Sequence, residues 1–287
     1  MSGPTEARIS QIPNEAPDDS MSETDKLQLS LSAYLTNFTQ ASLAMTVAYG
    51  VVSANKDQLK DHLNEPISGI VNDPKVFLRT LDDDERTKAM EVLEQSTKQS
   101  VDEIVLTILN MHAVLLCSTF EIILDDFLLE LTTLSTKALL AVAADKSKTL
   151  KQVLDAGNYE SLLTEFRKQE VASFSREEIA KKFGQFGKMG IDQAEVFNWK
   201  IYSKEIQHLL AGNDANTLSQ IFNKRHSIVH GGKRPFTEEQ EVVKIQTFFE
   251  KTIMNLCFVT AKKYDLSVDI FSPKYAEAQK PKVPPNA

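Results

Sequence analysis

The residues best suited to chemistry crowd into one short stretch of the chain. Between Asn216 and Thr237 there is no acid, while Lys224, Arg225, Lys233 and Arg234 are all cations and His226 and His230 lie among them. Residues four apart on a helix share a face, so the two imidazoles neighbour each other, and the long Arg225 side chain can swing toward the same edge. Ile228 and Val229 are placed to anchor the segment in the core with Ile221 and Phe222. Two imidazoles and a guanidinium at a helix end suit cleavage of an RNA phosphodiester. An imidazole takes the proton of a 2′-hydroxyl or gives one to the departing 5′-oxygen. A guanidinium pairs two phosphoryl oxygens and favours the crowded transition state. Lys224, Lys233 and Arg234 are candidate phosphate contacts, with Gly231 as the helix C-cap. The plainer reading of the same residues is a solvated helix end whose cations complement the dipole.

Other constellations carry less. His226-x-x-x-His230 has zinc-like spacing, but no Glu lies inside it and spacing suggests no third ligand, so neither metal nor cofactor is expected. Gly184, Gly187 and Gly190 recur beside Lys181, Lys182 and Lys188 without following a strand or matching a phosphate-binding loop, and read as a flexible connection. Trp199 and Tyr202, near Phe197, read as core or interface residues rather than base-stacking platforms. His62, His112 and His208 belong to no motif.

Composition limits the surroundings of such a site. The 287 residues carry a net charge of −8, with 42% hydrophobic and 25% charged residues. A surface that coats nucleic acid generally would need excess cations, so any polyanion site must be local. Cys117 and Cys257 fall in apolar runs and make no disulfide framework. The acidic N-terminus has no signal-sequence pattern. The apolar stretch Ile104–Leu124 is interrupted by Asn110, His112 and Glu121, which favours a buried helix over a membrane span. A cytoplasmic location is expected.

The elements that must position the motif are helical almost throughout. Residues 1–22 and 272–287, rich in Pro and poor in apolar periodicity, read as disordered tails, the first of them acidic. Ser22-Glu23-Thr24-Asp25 resembles a capping box before an apolar stripe from Leu27 to Val52. A break is expected over Asn64–Pro74, and Asp82-Asp83-Asp84-Glu85 marks a new helix start running to about Gln99. Ser100-Val101-Asp102-Glu103 predicts another, opening a very apolar helix to Leu134. Further helices are expected near 147–155, 159–182, 192–211, 215–230 and 237–265, and no strands. The prediction is an all-α, up-and-down helical bundle over 100–271 with an N-terminal helical extension at 23–99.

Arg225-His226-Ser227-Ile228-Val229-His230 resembles the Arg-polar-x(3–5)-His signature of the HEPN superfamily of α-helical ribonucleases and RNA-binding modules, with His226 where Asn or Asp is usual. Leu115-Leu116-Cys117-Ser118-Thr119-Phe120-Glu121 is similar to the aliphatic-then-Phe-Glu helix of HEPN domains allied to the RiboL-PSP group. The likeness spans about residues 100–265. It implies a metal-independent endoribonuclease acting as a homodimer, with Arg/His motifs of two subunits meeting in a composite cleft. By that likeness Arg225 stabilises the phosphorane and His230 is the general acid or base. His226 positions phosphate or shares proton transfer, and Glu121 orients Arg225. It further implies an RNA substrate, and a role in toxin–antitoxin or anti-phage defence with an antitoxin or regulatory protein as partner. The alternative is a catalytically inactive module that binds RNA or protein.

Overall fold

The computed structural model describes residues 28–72, 82–143 and 159–269. They form an all-α bundle of ten α-helices. The chain enters through a two-residue strand β1 (Gln28–Leu29) and continues into α1 (Leu31–Ala54) and α2 (Lys56–Asn72). After these come α3 (Asp83–Leu134), α4 (Thr136–Ala143), α5 (Tyr159–Ser175) and α6 (Ile179–Lys188). A short α7 (Gln193–Val196), a 3₁₀ turn (Trp199–Ile201) and α8 (Lys204–Leu209) lead to α9 (Ala215–Gly231). The last elements are α10 (Glu239–Tyr264) and β2 (Ser267–Val268).

The central element is α3, which packs against α1, α2, α5, α9 and α10. Its buried side chains Val101, Val105, Leu109, Ala113, Leu116, Phe120 and Leu124 recur at three- and four-residue steps, the period that lays one stripe along a helix. Asp82 and Glu85 close a capping box that opens it. Opposite, α10 contributes Val242, Ile245, Phe248, Phe249, Ile253 and Leu256. Phe120 stacks on Phe249 with ring centroids 4.3 Å apart, and Phe38 of α1 meets Phe249 edge-on at 6.2 Å. Leu29, Leu31, Tyr34 and Phe38 thus belong to the same core as α3 and α10.

Several expectations need correction. No helix starts at Ser100: its hydroxyl donates 3.0 Å back to the Ser96 carbonyl within the continuous α3, so a hydroxyl that reads as a cap bonds its own helix instead. The proposed cut between extension and bundle therefore falls inside one helix. Where a break is expected over Asn64–Pro74, helix continues up to Asn72, and an unexpected break falls at Asn55, whose side chain and backbone both donate to the Val51 carbonyl. Beyond it α2 runs through Pro66 and Gly69 to Asn72. The glycine-rich connection is helical: α6 passes through Gly184 and Gly187 because Phe183 and Phe186 are buried, and Gly190 (φ +77°) ends the turn after it.

The single helix expected over 192–211 is broken. The side chains of Asp192 and Asn198 each accept a backbone N–H two residues on, starting new turns. Two short strands also exist. β1 and β2 pair in parallel, with Gln28 opposite Ser267 and Leu29 opposite Val268, fastening the start of α1 to the end of α10. The tails, the Ser22 cap, Pro74 and the 147–155 helix lie outside the described residues.

Candidate active site

α9 carries the motif, and both its ends are built locally. Asp214 accepts the backbone N–H groups of Asn216 and Thr217 at 2.9 and 3.1 Å, satisfying donors that an open helix start leaves free. Leu218 and Ile221 are buried, with Phe222 and Ile228 packed against the core, so the helix is seated by its apolar face. At the far end the cap is Gly232 rather than Gly231. Its left-handed backbone (φ +59°) lets its N–H reach the Ile228 carbonyl at 3.2 Å. Val229, expected in the core, is 54% exposed, because Ile228 already occupies the inward position.

The segment after the cap is held from α3. Asn110, buried in the apolar helix, donates to the Phe236 carbonyl at 2.8 Å and accepts the Phe236 N–H at 3.1 Å, while Phe236 is itself buried. Both hydrogen-bonding groups of one backbone residue are thus satisfied by one amide. Asn110 was legible only as an interruption of an apolar run. His112, the second interruption, is also satisfied inside the bundle, with its Nε2 3.0 Å from Ser42 Oγ. By length and composition alone α3 contains a window apolar enough to cross a membrane. That helix also carries the buried stripe at the centre of the bundle.

Arg225 points to α3. Its guanidinium lies 3.0 Å from the Glu121 carboxylate and donates to Ser118 Oγ at 3.3 Å, with both ion-pair side chains more than two-thirds buried. Its Nε is buried without a hydrogen-bond partner among the described residues. The guanidinium also lies over the Phe222 ring at 5.9 Å. Cys117, fully buried beside this pair, has its thiol pushed up to about 12 by burial, with Arg225 opposing the rise and Glu121 adding to it.

His226 and His230 are both exposed, and their ring centroids are 4.5 Å apart. No hydrogen bond joins Arg225 to either imidazole among the described residues. The reason is helical geometry. Five residues turn the direction by about 140°, so Arg225 faces the α3 crevice while His230 faces outward. The expected convergence of all three on one point does not occur within a single copy.

The local positive charge is also answered by carboxylates from elsewhere. Lys224 lies 3.9 Å from Glu241 and over the Phe236 ring, and Arg234 lies 3.6 Å from Glu103. With the Arg225–Glu121 pair, three of the four cations have acidic partners, and Lys233 is exposed. Ser118 and Asn110 are the residues that sequence reading did not assign to the site. Neither has a signal beyond being a polar group in a run of apolar ones.

Among the described residues no group of three or more His, Cys, Asp or Glu is placed to hold a metal ion. Trp199 is buried and donates to the Asn213 carbonyl at 2.9 Å, and Tyr202 donates to Asn255 at 2.6 Å, so both serve core packing. Compared with known proteins, the chain matches no family model, no curated protein and no solved structure.

Proposed function

We propose that the protein is a metal-independent endoribonuclease whose active site is shared by two copies of the chain. The observation that carries this reading is the division of labour on α9. A guanidinium is held at the α3 crevice by Glu121 and Ser118, and two imidazoles in ring contact stand exposed on another face of the same helix end. In one copy Arg225 turns to α3 while His230 is exposed, and on this reading a second copy completes the set. Exposed apolar residues flank the motif on both helices: Met111 (47%) and Ile122 (60%) on α3, and Val229 (54%) on α9. They supply the surface that the second copy covers.

In the proposed reaction one imidazole takes the proton of the 2′-hydroxyl, and the freed oxygen attacks the neighbouring phosphorus. The bond from phosphorus to the 5′-oxygen breaks, and that oxygen receives a proton from the other imidazole. The products are a 2′,3′-cyclic phosphate and a free 5′-hydroxyl. Arg225 balances the charge on the phosphoryl oxygens, for which its fixed position is an advantage.

The test is RNA incubation in EDTA, comparing wild type with Arg225→Ala and His230→Ala. Loss of cleavage by about 10²-fold or more in both variants supports the reading. Metal-dependent cleavage, or cleavage that survives both substitutions, overturns it. The same ion pair favours one second reading, an inactive RNA-binding module, because the Glu121 carboxylate occupies the face of the guanidinium that a phosphate would take. RNA retention without cleavage by the wild type selects that reading.

A further inference from the structure

A cavity of about 660 Å³ opens between the N-terminal half of α9 and the start of α10, on a face of α9 next to the motif. Thr217, Gln220, Ile221 and Lys224 line it at helical spacing, and Lys224 immediately precedes Arg225. Its volume is that of a small-molecule site. The apolar floor is formed by Ile221, Phe236, Ile245 and Phe248, all buried.

Two acids and two cations line this cavity, and three of the four are already engaged. The Asp214 carboxylate accepts the first backbone N–H groups of α9. Glu241 accepts the Thr237 N–H at 3.0 Å and lies 3.9 Å from Lys224. The remaining charge is Lys244. It is half-buried on the α10 wall and has no ion pair or hydrogen bond among the described residues. A partly desolvated ammonium without a carboxylate favours an anion. Around it the side chains of Asn213, Asn216 and Gln220 offer both donors and acceptors, the mixed edge that a nucleobase presents.

We infer that this cavity binds a nucleoside monophosphate unit, its phosphate on Lys244 and its base over the apolar floor against the amide side chains. The unit is either a nucleotide of bound RNA beside the Arg225 motif or a free nucleotide. The first source deepens the nuclease reading and rests on it, whereas the second stands without it.

The test is calorimetric titration of the full chain with AMP, GMP, CMP and UMP, and separately with a 2′-O-methylated tetranucleotide that cannot be cleaved. Wild type is compared with Lys244→Gln, a change at a partly exposed position whose folding is checked by circular dichroism. The expected result is saturable binding weakened about tenfold in Lys244→Gln, the size of one lost charge-assisted contact. Binding of mononucleotides identifies a free-nucleotide pocket. Binding of the tetranucleotide alone, with the same loss in Lys244→Gln, identifies an RNA subsite. Absence of binding to both, or equal binding by wild type and variant, overturns the inference. Because the readout is binding, a protein that cleaves nothing can still pass, and an active nuclease can still fail.

Discussion

The carboxylate of Glu121 lies 3.0 Å from the guanidinium of Arg225, spanning the crevice between two helices that are far apart in sequence. The pair fixes the one cation of the motif that is largely shielded from water. On the proposed reading it also sets the terms on which a phosphate would reach that cation, since the anion must share or displace a carboxylate. On that reading Glu121 is a positioning residue, its charge mattering as well as its shape.

Glu121→Ala is expected to lower RNA cleavage by about tenfold to a hundredfold, and Glu121→Gln less, because the amide oxygen still accepts from Arg225. A split between kcat and KM separates positioning from bulk destabilisation: the loss should fall on kcat while the melting temperature of Glu121→Gln stays near wild type. Equal activity of wild type and both variants would remove Glu121 from the site.

Asn110→Ala removes the hydrogen-bond partner that two buried backbone groups, the Phe236 N–H and carbonyl, have among the described residues. Stranding them is expected to cost about 2–4 kcal/mol, read by urea denaturation. Asn110→Asp should recover only the N–H contact.

Burial holds the His112 imidazole below its ordinary pKa, so the folded protein keeps it neutral where the unfolded chain protonates it. Between the folded value and about 6.5, the unfolded state binds more protons, so stability rises with pH there and is lost as pH falls through that window. Urea titrations at pH 7.5 and 5.5 should show this loss in wild type and a smaller one in His112→Gln. An equal pH response in both proteins would assign the effect to other groups.

Ile122 is 60% exposed and directly follows Glu121 in sequence. On the proposed reading Ile122→Glu is expected to shift the protein from dimer to monomer in light scattering and to abolish cleavage, while its circular dichroism stays that of the folded wild type because the side chain is mostly exposed in one copy. A wild type that remains monomeric at high concentration would remove the shared site.

What the sequence disclosed was local. The step of the apolar residues on α3 and α10, the Asp82 cap and the boundaries of α9 follow from periodicity and capping within a few residues of each other. The hidden part was tertiary. The acid-free run from Asn216 to Thr237 reads as four bare cations, yet Glu103, Glu121 and Glu241 arrive from α3 and α10 to meet three of them. Ser100 reads as a helix start because its neighbours match a capping box, and only the unbroken packing of Val101 and Val105 overrides it. Gly184 and Gly187 read as a loop because no local rule reports that Phe183 and Phe186 are buried on either side.

The length of α3 has a mechanical consequence. An uninterrupted helix of 52 residues is a rod of about 78 Å, with α2 leaning on it as well as the bundle. Ser118 and Glu121, the seat of Arg225, belong to that same rod. Whatever binds the end near Asp83 therefore binds the same continuous helix that seats the guanidinium.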